Sequence, residues 1–366
     1  RLDLQSSDIT NETGIKITGS EANLNGMAQE SDSTKTVTLT NKGEITLAGN
    51  GSTAMYTKSG ILNNASTGKI TVGESSVGMF GLHNTDMTNA AGGKITVGKS
   101  SVGMYYSDIY NDKDGNPVTV TTTKGLTNAG AITSTVEKAV GMTYEPQNIG
   151  TGSVSVSNTG SGVITPGPAG NGISLTGDGS IGIFAKVSKD NKTYDVTNSG
   201  DILVGKNSSV GMYTNEYTDA SNVKRGNKLI NIGKIKTDEK SVGMYGYEAQ
   251  NSGTITVGNN QAVGIYSQGG NVTLASGSKI VVGENKSAGV FLASKGQTLT
   301  NAGNFEIGKE SYGIVNTNTD STTGNTINST GGTVDLKGKA LFIYSTDTKG
   351  SITNATAITT DGTDGE

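Results

Sequence analysis

The chain has 366 residues, of which 55 are glycine, 32% are hydrophobic and 5% are aromatic, and its formal net charge at pH 7 is −4. So small a charge argues against a disordered chain, and the absence of lysine-rich runs argues against a nucleic-acid-binding protein. Cysteine is absent, which excludes disulfides and thiolate metal sites, and no apolar run approaches the roughly 20 residues that span a bilayer.

The chain opens with RLDLQSSDIT and shows no basic and apolar signal segment, so we expect it to be a segment of a longer protein.

A repeated pattern then covers nearly the whole sequence: an asparagine, a gap with a glycine, x-Ile-x-Val-Gly, a second gap, and Val-Gly-Met-Tyr. In chain order the copies are NETGIKITG from Asn11, NKGEITLAGNGSTAMYT from Asn41, NNASTGKITVGESSVGMFG from Asn63, NAAGGKITVGKSSVGMYY from Asn89, NAGAITSTVEKAVGMTY from Asn128, NSGDILVGKNSSVGMYT from Asn198, NIGKIKTDEKSVGMYG from Asn231, NSGTITVGNNQAVGIYS from Asn251, NAGNFEIGKESYGIVN from Asn301 and GGTVDLKGKALFIYS from Gly331.

Each copy contains two short strings in which apolar residues alternate with others. In TITVG, Ile255 and Val257 fall on one face, and in AVGIY, Val263 and Ile265 do the same. Alternation with period two is typical of β-strands, and the intervening glycine and asparagine residues are typical of turns. Two strands and two turns in about 21–25 residues predict one coil of a parallel β-solenoid. The sequence therefore predicts an all-β protein of about a dozen coils, forming a single segment over residues 1–366.

Stacked coils would bury columns of equivalent side chains that one coil alone cannot cover. The predicted internal columns are Ile70, Ile95, Ile202 and Ile255; Val72, Val97, Val204 and Val257; and Met79, Met104, Met212 and Met244. We also expect a ladder of side-chain amides at one turn, formed by Asn64, Asn89, Asn128, Asn198, Asn231, Asn251 and Asn301. An outer column of stacked rings is expected from Tyr56, Tyr105, Tyr213, Tyr245 and Tyr266.

The valine of the Val-Gly-Met-Tyr string is expected to point inward together with the methionine. Its glycine is expected to face outward, because Ala54 and Phe342 occupy the same place in two copies.

Insertions enter this pattern at one corner. The distance from the asparagine to the methionine is nearly constant, whereas the return from the methionine to the next asparagine varies from 7 residues (Met244 to Asn251) to 24 (Met104 to Asn128). Repeat proteins commonly place such variable loops on a binding face. The insertions lie near residues 106–124, 144–157, 165–180, 186–197, 214–229 and 316–327. The insertion near 165–180, which contains two prolines, indicates an extra half-coil or a kink.

These insertions supply the candidate ligand-binding residues, whose tyrosines we expect to lie away from the core columns. The candidates are Tyr106, Tyr110, Asp112, Asp114, Tyr194, Tyr217 and Arg225. Asp114 and Gly115 predict the turn of a hairpin. The surrounding NDKDGN string at 111–116 resembles a calcium loop but lacks the downstream glutamate, so a hairpin tip is the simpler interpretation and calcium remains an alternative.

No catalytic constellation is predicted, and we expect no enzyme, no metal and no cofactor. The single histidine, His83, lies in a return segment without the further ligands that a transition metal requires. Carboxylates are scattered rather than aligned from coil to coil, and tryptophan is absent. A polysaccharide-acting enzyme is therefore the less favoured alternative.

The arrays of N-x-G-x-I-x-V-G followed by SVGMYG resemble the passenger regions of very large type V autotransporter adhesins of fusobacteria, of the RadD type. The resemblance covers nearly the whole chain and implies a right-handed parallel β-helix displayed outside the cell, on the outer membrane. It implies that a C-terminal β-barrel of the longer protein, rather than this segment, enters the membrane. It further implies adhesion to other bacteria (coaggregation) or to host cells through a surface protein or glycan. The alternative is a structural stalk that presents a distal binding tip.

Overall fold

The computed structural model describes residues 2–3, 7–30, 36–83, 85–109, 116, 124–149, 154–160, 171–188, 192–219 and 221–361. The regular secondary structure of these residues is β-strand throughout. Within the same ranges, no helix has the length and apolar character needed to cross a membrane. The chain divides into two compact units, residues 1–201 and 202–366, and both are built from the same coil.

The strands of the first unit are β1 (Leu2–Asp3), β2 (Ile9–Asn11), β3 (Lys16–Gly19), β4 (Asn25–Gln29), β5 (Val37–Asn41), β6 (Glu44–Leu47), β7 (Thr53–Thr57), β8 (Gly60–Asn64), β9 (Lys69–Val72), β10 (Val77–Leu82), β11 (Thr85–Asn89), β12 (Lys94–Val97), β13 (Val102–Ser107), β14 (Leu126–Asn128), β15 (Ala131–Ser134), β16 (Val140–Glu145), β17 (Val156–Asn158), β18 (Gly172–Leu175), β19 (Ile181–Ala185) and β20 (Asp195–Asn198).

The strands of the second unit are β21 (Asp201–Val204), which begins at the boundary, β22 (Val210–Thr214), β23 (Glu216–Thr218), β24 (Lys224–Gly226), β25 (Lys228–Asn231), β26 (Lys234–Lys236), β27 (Val242–Gly246), β28 (Glu248–Asn251), β29 (Thr254–Thr256), β30 (Val263–Ser267), β31 (Val272–Leu274), β32 (Lys279–Val282), β33 (Ala288–Leu292), β34 (Thr298–Asn301), β35 (Asn304–Ile307), β36 (Tyr312–Asn316), β37 (Thr326–Ser329), β38 (Thr333–Leu336), β39 (Leu341–Ser345), β40 (Ser351–Asn354) and β41 (Ala357–Thr360).

Each coil contributes one strand to each of three parallel sheets. Sheet A holds the Val-Gly-Met-Tyr strands, such as β10 and β13; sheet B holds the strands that end at the repeated asparagine, such as β11; sheet C holds the x-Ile-x-Val strands, such as β12. Thirteen strands of each class are described, in line with the predicted dozen coils. The predicted fold class is confirmed as an all-β parallel β-helix, and the topology is consistent with the right-handed form.

The third strand of the coil is the element that the sequence pattern did not reveal. The sequence predicts two strands and places the asparagine in a turn, whereas the asparagine ends a sheet B strand such as Gly60–Asn64. Strands of this sheet contain three to five residues and share no fixed string apart from a final asparagine, for example LTN in β14 and TDMTN in β11. Leu274 and Ser329 take the place of that asparagine in β31 and β37. Their common feature is an inward aliphatic residue two positions before the asparagine, such as Leu62 or Leu126.

The predicted internal columns are confirmed by the register of the coils. Met79 pairs with Met55 and with Met104, and Ile95 pairs with Ile70 and with Ile132. Every member of the three predicted columns is at most 3% exposed. Equivalent side chains therefore cover one another from coil to coil, as nearest-neighbour stacking requires.

The Val-Gly-Met-Tyr string does not alternate as expected. Its valine is half-exposed, its glycine and methionine are both buried, and its tyrosine is half-exposed, so the expected inward valine and outward glycine are wrong. A Cβ atom on Gly103 would lie 2.6 Å from the carbonyl oxygen of Gly141 in the next coil and 2.7 Å from Cγ2 of Ile132. Glycine is required here because sheet A approaches the isoleucine column of sheet C closely. Ala54 and Phe342, at the same place in other coils, are also buried.

The serine that precedes this string closes the corner between sheets C and A. The Oγ atom of Ser76 accepts a hydrogen bond from the backbone amide of Ser52 at 3.0 Å and donates one to the carbonyl oxygen of Glu74 at 2.9 Å. Ser101 repeats the first contact with the amide of Ser76 at 3.0 Å. Each of these buried hydroxyls satisfies a backbone group that has no partner within its own coil. The whole SVGMY string thus has an architectural role.

The predicted asparagine ladder is confirmed in the first unit, where the Nδ2 atom of each residue donates to the Oδ1 atom of the next at 2.8–2.9 Å. The ladder runs through Asn11, Asn41, Asn64, Asn89, Asn128, Asn158 and Asn198. In the second unit Asn231 donates to Asn251 at 2.8 Å, Leu274 takes the next place, and Asn301 donates to Ser329. A buried amide ladder of this kind holds successive coils in register.

Most insertions lie at the corner between sheets A and B, as predicted. The connection there is the single residue Tyr247 in one coil, and it extends to 108–125, 146–155, 186–194, 215–227 and 317–325 in others. One insertion departs from this corner, because residues 159–171 connect sheet B to sheet C. An extra half-coil or a kink is expected near 165–180, but residues 161–170 lie outside the described residues. The strands that follow keep the regular register, since Ile173 pairs with Ile132 and Ile183 pairs with Met142.

Gly103→Val tests the inward orientation of the glycine. We expect a loss of about 3 kcal/mol or more in the free energy of unfolding, because the side chain meets a backbone carbonyl that cannot move without shifting the next coil. Urea unfolding measures the change, and Val102→Thr, at the half-exposed neighbouring position, is the control. Equal stability of the two variants would contradict the orientation described above.

Asn89→Asp tests the ladder. The carboxylate cannot donate to Asn128, and it faces the amide oxygen that Asn89 normally contacts, so we expect a loss of about 2 kcal/mol or more at pH 7. Part of that loss should be recovered near pH 4, where the protonated carboxyl can donate again. Thermal unfolding at the two pH values measures this, with Thr88→Asp on the outer face as the control. If the ladder contributes nothing to stability, Asn89→Asp and Thr88→Asp should have the same melting temperature at each pH, and this result would contradict its proposed role.

Candidate functional site

The candidate ligand-binding residues of the sequence analysis have different positions in the structure. Tyr110, Asp112 and Asp114, together with the Asp114–Gly115 turn and most of the NDKDGN string, lie outside the described residues. Tyr106 and Tyr194 are buried, and Tyr217 and Arg225 lie together on an insertion of the second unit. Only this last pair forms a surface-accessible group among the described candidates.

Tyr106 and Tyr194 do not project from the coil, so the expectation that they lie away from the core is wrong. Tyr106 is 0% exposed and Tyr194 is 7% exposed. Tyr106 stacks on Tyr144 with ring centroids 4.7 Å apart, and Tyr144 meets Tyr194 edge-on at 5.5 Å. Tyrosines next to an insertion can equally well fill the space that the insertion opens or point into solvent, and the sequence does not distinguish the two.

The hydroxyls of these three tyrosines hold the backbone at the ends of connections between sheets A and B. Tyr144 donates to the carbonyl oxygen of Lys124 at 2.8 Å, and Tyr194 donates to that of Lys186. The hydroxyl of Tyr106 contacts the carbonyl oxygen of His83. The rings therefore anchor the connections to the coil, and they are not available to a ligand.

Tyr217 and Arg225 lie on a hairpin formed by β23 and β24, within the insertion near 214–229. The two residues are direct partners in the antiparallel register, so their side chains share one face. Tyr217 is half-exposed and Arg225 is exposed. Thr218 and Lys224 pair in the same way and occupy the opposite face.

Asp219 fixes the tip of the hairpin. One carboxylate oxygen accepts hydrogen bonds from the backbone amides of Ser221 and Val223, each at 2.9 Å, and the other accepts one from Nε of Arg225 at 2.8 Å. The bond from the Arg225 guanidinium, followed by the amide of Val223, holds the pKa of Asp219 below its ordinary value. Arg225 is thereby held in one orientation on its face of the hairpin.

Tyr247 supports the base of the hairpin from the next coil. A Cβ atom on Gly226 would collide with Cβ of Tyr247, and Cβ atoms on Gly269 and Gly270 would lie 2.8 and 2.9 Å from its ring. The tyrosine thus fits between the hairpin and a glycine pair, and its carbonyl oxygen accepts from the amide of Gly270 at 2.8 Å. We name Tyr217, Arg225 and Tyr247 the hairpin patch. The sequence analysis did not predict a role for Tyr247. The Gly269–Gly270 pair, which leaves space for its ring, is the sequence feature that could have indicated it.

A column of aromatic rings follows the outer face of sheet A, as predicted. In the second unit, centroid distances are 5.4 Å from Tyr213 to Tyr245, 4.9 Å from Tyr245 to Tyr266 and 5.1 Å from Tyr266 to Phe291. In the first unit, Phe80 lies between Tyr56 and Tyr105, at 5.6 and 5.1 Å. The rings are stacked face to face in the pairs Phe80–Tyr105, Tyr245–Tyr266 and Tyr266–Phe291.

The described residues hold no group of three or more histidine, cysteine, aspartate or glutamate side chains that could bind a metal ion. A groove of about 640 Å³ lies on sheet C of the first unit. Thr96, Thr133, Thr135, Val136 and Ser174 are among the described residues that line it, and none of the described lining residues is charged.

No protein-family model matches this chain, and searches of curated proteins and of solved structures give no match either.

Proposed function

We propose that this chain is a non-catalytic segment of a cell-surface adhesin, the passenger of a type V autotransporter displayed outside the bacterium. In this proposal the hairpin patch contacts a surface protein or glycan of another bacterium or of a host cell. The observation that carries it is a hairpin, held by Asp219 and Tyr247, that exposes an arginine and a tyrosine at a corner which some coils close with one or two residues.

The residue types of the hairpin patch support a binding role. Tyrosine and arginine are enriched among the residues that dominate the energy of protein interfaces. Asp219 holds the Arg225 side chain, and Tyr247 packs against the base of the hairpin, so little conformational freedom remains to be lost on binding. Such preorganisation favours a contact surface over a spacer.

The charge balance of the hairpin supports a partner that is not a polyanion. Arg225 pairs with Asp219 at 2.8 Å, and Lys224 pairs with Glu216 at 2.6 Å, so each cation has an acidic neighbour. A polyphosphate or nucleic acid would have to compete with both pairs. We therefore propose a protein as the first partner to test, with a neutral glycan as the second.

The test is adhesion of beads coated with the full chain to a panel of bacterial and epithelial cells. The decisive variant lacks residues 216–226, so that Asn215 and Asn227 form a two-residue connection like Lys58–Ser59 between β7 and β8. We expect adhesion to fall about ten-fold or more, as for loss of interface hot spots, with little change in the melting temperature. The double variant Tyr217→Ala/Arg225→Ala should give a similar loss.

Thr218→Ala/Lys224→Ala, on the opposite hairpin face, is the matched control and should keep wild-type adhesion. Wild-type adhesion of the deletion variant would exclude the hairpin patch as the contact site. Failure of the wild-type chain to adhere to any cell of the panel would favour the structural stalk.

A further inference from the structure

The hydroxyl of Tyr106 lies between two oxygen atoms of the first unit. It is 2.6 Å from Oδ1 of Asp108, and it is also within hydrogen-bond distance of the carbonyl oxygen of His83, in the corner of the preceding coil. Tyr106 and Asp108 are both 0% exposed. Asp108 is the first residue after β13, so the three groups meet where the connection 108–125 leaves the coil.

The two contacts among these three oxygens depend on whether the carboxyl of Asp108 is protonated. A backbone carbonyl only accepts hydrogen bonds, an ionised carboxylate only accepts, and a tyrosine hydroxyl has one proton to donate. Two contacts between three oxygens need two protons. With Asp108 ionised, one pair of oxygens would face each other without a proton. With Asp108 neutral, its carboxyl donates to Tyr106, and Tyr106 donates to His83.

The second carboxyl oxygen of Asp108 points to the same state. Oδ2 is buried and has no hydrogen-bond partner among the residues that the structure describes. An unpartnered oxygen is far less unfavourable on a neutral carboxyl than on a carboxylate. Burial raises the pKa of Asp108 to about 6, against the opposing effects of the hydrogen bonds from Tyr106 and from the backbone amide of Gln147.

The charged groups around Asp108 are engaged elsewhere, within the described part of the chain. The backbone carbonyl of Glu145 accepts from the amide of Asp108 at 3.3 Å, while its carboxylate accepts from the hydroxyl of Tyr105 at 2.9 Å and lies 3.9 Å from Nζ of Lys186. The ammonium of Lys124 pairs with Asp86 at 2.9 Å. His83 contributes its carbonyl oxygen, and its imidazole is the other group of this corner that can titrate near neutral pH.

We propose that Asp108 forms a proton-dependent latch: its neutral carboxyl completes the Asp108–Tyr106–His83 chain that fastens the start of the connection 108–125 to the preceding coil, and its ionisation opens that chain. When the proton leaves, the single proton of Tyr106 turns to the carboxylate, and the hydrogen bond from Tyr106 to the carbonyl oxygen of His83 is lost. This inference is independent of the proposed function.

The pH dependence has a defined sign. Because the pKa of Asp108 in the folded chain lies above the ordinary value of 3.8, the neutral carboxyl is favoured by folding. Its contribution to stability is complete below the ordinary pKa and is lost as the pH rises through about 6. The latch is closed in mildly acidic solution and open at neutral and higher pH.

Direct titration of the wild-type chain tests the protonation state. Aspartate labelled with ¹³C at the side-chain carboxyl is followed by NMR from pH 4 to pH 8, and the Asp108 resonance is assigned through the backbone amides of Asp108 and Ile109. We expect a midpoint about two pH units above that of an ordinary aspartate. A midpoint at or below the ordinary value would overturn the proposal.

Hydrogen exchange of residues 105–109 tests the latch itself, after correction for the intrinsic effect of pH. We expect wild-type protection to fall about ten-fold or less from pH 5 to pH 7.5, as for the opening of one local hydrogen-bond chain. Asp108→Asn should remain protected at both pH values, because its amide can donate to Tyr106, and Tyr106→Phe should be weakly protected at both. Any change in protection between the two pH values that remains in Asp108→Asn is attributed to the imidazole of His83. A fall of equal size in wild type and Asp108→Asn would refute the latch.

Discussion

Each coil in this protein is stabilised by the coils on either side of it, and this requirement for a fixed register underlies the rest of the structure. An isolated coil has three strands of two to six residues and no core of its own. Its methionine, isoleucine and valine side chains become buried only when the equivalent residues of the neighbouring coils lie directly above and below them. A slip of one residue in any sheet would turn that strand's inward side chains to solvent.

The polar ladders and the repetition of the string SVGMY from coil to coil serve this register. The asparagine amides bond from coil to coil, the serine hydroxyls take up backbone groups at another corner, and the glycine lets sheet A approach sheet C. Because these groups fix two corners of each coil, the third corner can vary in length. Lengthening a loop whose ends are already held carries only a small entropic cost. Insertions therefore accumulate between sheets A and B, where Tyr106, Tyr144 and Tyr194 tie them to the coil.

Periodicity made the parallel solenoid, the inward columns and the asparagine ladder predictable, because equivalent residues of a stacked repeat must contact one another. Periodicity did not predict the strands of sheet B, because these short strands share little beyond the asparagine that ends most of them. Strict alternation also failed at Val-Gly-Met, where two consecutive residues are buried. This is possible because the first of the two is glycine, which has no side chain that would need space in the core. At the insertions, Tyr106 and Tyr217 look alike in sequence, yet one ring fills the corner and the other lies on a hairpin. That difference depends on contacts with distant residues such as His83 and Tyr247.

Stability in this protein passes from coil to coil, and hydrogen exchange across the second unit of Met212→Asp tests this dependence most directly. Met212 is 0% exposed and pairs with Met244, so a carboxylate there would be an unpaired charge inside the methionine column, at a loss of several kcal/mol. We expect protection from hydrogen exchange to be lost in β22 and also in β27 and β30, and to recover in strands farther along the second unit. Loss of protection confined to β22, or a variant as stable as wild type, would contradict it.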